Sequence, residues 1–150
     1  MTREQRAREL FSNSYNCAQA VAMAFARETD VDEDTTCKMM TAFGAGGGRR
    51  QFCCGAVSGA LLVISLLKGR ELGGPKVAQE ESYTLAREFF VRFETEHGSS
   101  ECRTLLDGIS FLSSEGQERY IAENMRQHCG DYVGSAVRIL EELLELQKRV

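Results

Sequence analysis

The sequence predicts an all-α fold, a compact bundle of about six or seven helices around an apolar central helix. The 150 residues include one proline and no tryptophan, while residues that favour helices are abundant. No stretch of useful length alternates apolar and polar residues with the period of a strand. No repeat, low-complexity tract or linker divides the chain, so a single helical domain over residues 1–150 is expected.

Capping signals predict the first three helices. A capping box at the N-terminus begins the first helix. Either Asn13 or Ser14 can cap the second helix, which carries Cys17 near its start. The acidic run at 30–34 caps a third helix over about 35–43.

Segment 53–68 is the predicted central helix. A glycine-rich break precedes it, Gly69 follows as its C-terminal cap, and it is apolar nearly all round, as buried helices are. Cys54 lies in its first turn. Gly55 and Gly59 put small residues four apart, so a neighbouring backbone can approach this face closely.

The remaining helices follow from terminal residues. Pro75 suits the first turn of the fifth helix, and Gly98 closes it. A short helix carrying Cys102 comes next, followed by a helix that opens on a capping box at 114–117. The last amphipathic helix is predicted to begin at Cys129, and its apolar stripe could also supply a homodimer seam.

Four of the six cysteines, Cys17, Cys54, Cys102 and Cys129, thus fall where helices are predicted to start. Helix N-termini present unpaired N–H groups and a positive dipole end, which favour thiolate over thiol. If the four converge, two kinds of chemistry stay open. One is thiol–disulfide exchange; the other is ligation of zinc or an iron–sulfur cluster by four thiolates, although no CxxC pair is present.

For the exchange reaction, Cys54 is the predicted attacking residue and Cys17 the resolver or second attacker. Cys54 begins the central helix, Gly55 leaves its surroundings open, and Arg49 and Arg50 are near in sequence to favour negative charge.

Charge and composition limit the kinds of partner and the cellular compartment that are expected. The net charge is −4 and no basic tract exceeds two residues, which argues against nucleic acid as the main partner. The longest apolar run, 52–67, is interrupted and short for a membrane span. The polar start of the chain is unlike a signal peptide, so a cytoplasmic location is expected. Six cysteines in that compartment indicate redox or metal chemistry rather than structural disulfides.

The cysteine pattern resembles that of a known family. The matching features are the segment 16–21, the glycine-rich approach 44–48, the stretch Cys-Gly-Ala-Val-Ser-Gly at 54–59, and the downstream Cys102 and Cys129. Over nearly the whole chain these resemble the C_GCAxxG_C_C family, whose members are described as redox-active.

The resemblance implies a cysteine site and a chemical class, but no substrate. Genes of the family often lie near transporter genes, so a redox partner or a transporter-associated protein is the implied partner. An iron–sulfur cluster has been proposed for a related domain. Two further cysteines, Cys37 and Cys53, depart from the family pattern. The favoured function is a thiol–disulfide oxidoreductase or redox sensor; the alternatives are a metal-binding electron-transfer module and a non-catalytic interaction domain.

Overall fold

The computed structural model describes residues 1–147, and eight right-handed α-helices with no strand occupy that part of the chain. The predicted all-α bundle is confirmed. A 3-10 turn, Thr41–Phe43, follows the third helix. In order, the helices are α1 (Arg3–Ser12), α2 (Cys17–Met23), α3 (Glu33–Met40), α4 (Gly55–Lys68), α5 (Lys76–His97), α6 (Cys102–Leu105), α7 (Ser114–Ala122) and α8 (Met125–Leu143).

Reciprocal capping boxes begin α1 and α2. The Thr2 hydroxyl accepts from the Gln5 N–H at 3.1 Å, and the Gln5 side chain accepts from the Thr2 N–H at 2.8 Å. Asn16 and Gln19 repeat the arrangement at the start of α2, with distances of 2.8 and 2.9 Å. The cap of α2 is therefore Asn16, and the residues predicted for it, 13–14, end α1 and turn the chain instead.

The predicted start of the last helix was wrong. Asn124 adopts a left-handed conformation with a φ of 52°, which Asn tolerates better than most residues, and this ends the preceding segment. Helix α8 then begins at Met125, four residues before Cys129. Because of this earlier start, Cys129 lies in the second turn of α8 and not at the helix N-terminus.

Helix α4 packs against α2, α5 and α8, as a central helix should. Its buried face is made of small and β-branched residues, while Leu66 near its end is 36% exposed. Gly59 allows the close approach to α2, because a Cβ at that position would lie 2.6 Å from the Ala18 carbonyl oxygen. This contact brings the first turns of α2 and α4 together. Across residues 1–147, no helix combines the length and the apolar character that a bilayer-crossing segment requires.

Candidate functional site

Cys17 is the first residue of α2, and its sulfur lies against the start of α4. A Cβ at position 55 would overlap the Cys17 sulfur. Because Gly55 has no side chain, the sulfur can occupy that space. Burial raises the pKa of the Cys17 thiol, and the nearby backbone N–H groups of Ala45, Ala18 and Ala56 act in the opposite direction. Three separate backbone segments thus present donors to one thiol.

The glycine-rich segment forms a left-handed turn. Residues 45–49 all have positive φ, between 52° and 97°. Glycine adopts this conformation freely, whereas Ala45 and Arg49 each cost about 1–2 kcal/mol in it. The turn directs the Ala45 N–H toward Cys17. Strain of this kind is typical of functional sites.

Cys54 is the N-cap residue of α4 and is only 5% exposed. Burial, followed by the negative charge of Cys17, raises the pKa of the Cys54 thiol well above its ordinary value. The expectation of open surroundings for Cys54 was wrong, because the space left by Gly55 is occupied by the Cys17 sulfur.

An isolated antiparallel bridge between Cys53 and Glu101 places Cys102 beside the start of α4. Around it, the Cys54 N–H donates to the Ser100 carbonyl at 2.8 Å, and the Cys102 N–H donates to the Phe52 carbonyl at 2.6 Å. Cys102 is the first residue of α6 and is buried. Burial, and then the charges of neighbouring thiolates, raise its pKa to about 12.

Cys129 approaches from α8. The Tyr120 hydroxyl donates to its sulfur at 3.4 Å. Burial raises the pKa of Cys129 to about 11, and the hydrogen bond from Tyr120 acts in the opposite direction. Cys129 also packs against the small second core cluster that contains Cys102, so these two cysteines share one apolar environment.

Cys17 is the centre of this group of thiols. When Cys17 ionises, its charge acts to raise the pKa values of four other cysteines, which are Cys53, Cys54, Cys102 and Cys129. The structure therefore places the four predicted site cysteines, and Cys53, within electrostatic reach of one position. Cys37 lies apart on α3, where its sulfur accepts from the Gln19 amide at 3.4 Å. All six cysteines are free thiols.

A cleft of about 740 Å³ opens beside Cys17. Cys17 and Ala45 line it on one side, Tyr120 on another, and Arg49 and Arg126 contribute positive charge. Its apolar lining comes from Phe11, Phe111, Leu112 and Ile121. Cys17 is thus the one clustered thiol that faces this cleft among the residues described.

Two cleft residues, Tyr120 and Arg126, were absent from the sequence predictions. They flank the break at Asn124, and their positions relative to Cys129 depend on how α7 folds back on α8. The contact of Tyr120 with a thiol nine positions away crosses that break. Helical periodicity gives no signal for such a contact.

The zinc or iron–sulfur alternative requires several ligands that converge on one point. Among residues 1–147, no group of three or more His, Cys, Asp or Glu side chains is placed to hold a metal ion. The cysteines as placed therefore do not offer the ligand set that this alternative requires.

Comparison with known proteins agrees with the cysteine pattern. The family model described as "Putative redox-active protein (C_GCAxxG_C_C)" matches residues 15–143, nearly the whole chain. The matched range includes all six cysteines. Neither the curated proteins nor the solved structures contain a significant match.

Proposed function

The chain belongs to the C_GCAxxG_C_C family, which is described as redox-active, and from that premise we propose that it is a thiol–disulfide redox protein. In this proposal Cys17 is the attacking thiol and Cys54 the resolving thiol. The observation that carries it is the position of Cys17, which lines the cleft and lies near enough to Cys54, Cys102 and Cys129 to interact electrostatically with each of them.

The roles of Cys17 and Cys54 are reversed relative to the sequence prediction. The thiolate is the attacking species, so the attacking thiol should be the one that ionises first and can meet a substrate. Burial raises the pKa of both thiols, but that of Cys54 is raised well above its ordinary value, whereas three neighbouring N–H groups oppose the rise at Cys17. Cys54 is buried behind Cys17, which suits a thiol that reacts only after the first step.

The proposed half-reaction is reduction of a substrate disulfide by the two thiols, and it needs no further reactant. The Cys17 thiolate attacks one sulfur of a substrate disulfide, that S–S bond breaks, and a mixed disulfide forms on Cys17. The departing thiolate takes up a proton. Cys54 then loses its proton and attacks the Cys17 sulfur, which releases the second substrate thiol. The protein is oxidised by two electrons, and the substrate is reduced by two.

Cys102 and Cys129 form a second dithiol in this proposal. They share the second core cluster, and the charge of Cys129 raises the pKa of Cys102. Four cysteines allow three pairings. The proposal selects Cys17 with Cys54 and Cys102 with Cys129, so that the second pair can pass electrons to the first or accept them from it.

The test is a stepwise oxidation of protein purified and reduced without oxygen. Intact mass should fall by two hydrogens per step, and peptide mapping should find the Cys17–Cys54 disulfide first. Cys17→Ser should abolish that first step. Cys37→Ser is the matched control and should leave it unchanged, because Cys37 lies apart from the cluster. A first disulfide without Cys17, or bound iron or zinc in the purified protein, would overturn the proposal.

A further inference from the structure

The cleft beside Cys17 carries positive charge that no carboxylate neutralises. Arg49 and Arg126 line it, and no Asp or Glu is among its lining residues in the part of the chain described. Within residues 1–147 neither arginine forms an ion pair, although six other arginines do. The chain as a whole has a net charge of −4, so this cationic cleft differs from the rest of the molecule.

The two arginines are held in different ways. Arg126 packs over the Phe11 ring, with 4.2 Å between its guanidinium carbon and the ring centroid. Arg49 has a φ of 71° at the end of the left-handed turn, and it is exposed. That turn also supplies the Ala45 N–H to Cys17, so one short segment places both a cation and a thiol donor at the cleft.

One wall of the cleft is apolar and accessible. Leu112 is 67% exposed and Ile121 is 78% exposed, and both line it with Phe111. The volume, about 740 Å³, lies in the range typical of small-molecule sites. The cleft thus combines a thiol, two arginines without a carboxylate partner in the part of the chain described, and an apolar wall within the space of one small molecule.

From this combination we infer that the substrate of the proposed reaction is a low-molecular-weight disulfide that carries carboxylates. The inference rests on the proposed thiol–disulfide function and names the substrate class for the same site. The carboxylates pair with Arg49 and Arg126, and the aliphatic part lies against Leu112 and Ile121. One sulfur of the disulfide then faces Cys17, which attacks it as described above.

The experiment compares three disulfides of different charge. Oxidised glutathione is anionic, bis(2-hydroxyethyl) disulfide is neutral, and cystamine is cationic. The rate of mixed-disulfide formation on Cys17 is measured by mass spectrometry in the Cys54→Ser variant, where the adduct is not resolved by Cys54. Each rate is divided by the rate with a free thiol peptide, which removes the intrinsic reactivity of the disulfide.

We expect the normalised rate for the anionic disulfide to exceed that for the cationic one by about tenfold at low salt, and the difference to shrink as salt rises. Arg49→Gln should reduce the preference about threefold. The matched control is Arg50→Gln, because Arg50 stacks over Phe52 at 5.2 Å and does not line the cleft.

The outcomes separate the substrate class from the function. Equal normalised rates, or a preference that Arg49→Gln leaves unchanged, would overturn the anionic substrate while the attack by Cys17 stands. Failure of all three disulfides to form an adduct on Cys17 would overturn the proposed function, and the substrate class with it.

Discussion

Replacing Gly55 with alanine should disturb the site at its most crowded point. A Cβ there would overlap the Cys17 sulfur and would lie 3.1 Å from the Ala18 nitrogen and 3.3 Å from the Phe43 carbonyl oxygen. Two of these three neighbours are backbone atoms that cannot rotate away. Overpacking of this kind costs about 1–3 kcal/mol, and the better helix propensity of alanine offsets up to about 1 kcal/mol.

The expected net effect of Gly55→Ala is a loss of about 1–2 kcal/mol in the free energy of unfolding, or a fall in Tm of about 2–8 °C. The displaced Cys17 sulfur should also lose its contact with the Ala56 N–H, which raises its pKa and slows its reaction. Urea denaturation measures the first effect. The rate of Cys17 alkylation by iodoacetamide, followed by peptide mapping, measures the second and should fall severalfold.

Gly130→Ala is the matched control for this experiment. Gly130 lies inside α8, and a Cβ there would meet only a carbon of the Phe11 ring, at 3.9 Å. This substitution should therefore stabilise the protein by up to about 1 kcal/mol. If Gly55→Ala is as stable as the wild type and its Cys17 reacts as fast, the close contact between the two helix starts does not hold the site as described.

Three further predictions concern the thiols and the loops around them. Because the folded pKa values of Cys102 and Cys129 are about 12 and about 11, above the ordinary 9.0, the folded state keeps protons that the unfolded chain releases. These two thiols add no pH dependence below pH about 9. Above it, each should lower the free energy of unfolding by about 1.4 kcal/mol per pH unit as the pH rises toward its folded pKa, and a urea-denaturation profile that stays flat above pH about 9 would contradict this. Ala45→Gly relieves a left-handed alanine at some entropic cost, so thermal denaturation should show a gain of about 0–1 kcal/mol, and a clear loss would be inconsistent with the strained turn. The Gln51 side chain is 1% exposed; it donates to the Ile109 carbonyl at 2.6 Å and accepts from a nearby backbone N–H at 2.8 Å. Gln51→Leu removes both hydrogen bonds and should lower the free energy of unfolding by about 2–4 kcal/mol in the same assay. A loss below about 1 kcal/mol would mean that water replaces both bonds.

Local signals predicted the helices whose ends are set by neighbours in sequence. The box at Thr2 needs only Gln5, and the αL residue Gly98 ends α5 by its own conformation. The break at Asn124 was missed because a left-handed asparagine has no preceding pattern that marks it. For the same reason, the prediction that Cys129 begins a helix was wrong.

The sequence singled out the cysteines that the structure brings near Cys17, but not the geometry of that group. Four cysteines at predicted helix starts were the candidate site residues. Which thiol is buried depends on how closely α4 approaches α2, and the sequence around Cys54 and Gly55 fits either outcome. The positive charge of the cleft depends on Arg126 and Arg49, which are far apart in sequence and line the same cleft only in the folded chain.

The left-handed turn at 45–49 also bears on which thiols can pair while the chain folds. Local backbone preferences disfavour such a turn at Ala45 and Arg49, so packing of α2 against α4 must hold it in place. Before α2 and α4 pack, the turn is therefore not held beside Cys17, and the fold does not yet set which of the six thiols are neighbours. Oxidation before that point joins cysteines according to their separation along the chain, whereas oxidation afterwards joins them according to the fold. Under the proposed thiol–disulfide function, the timing of oxidant exposure would therefore decide which cysteines pair.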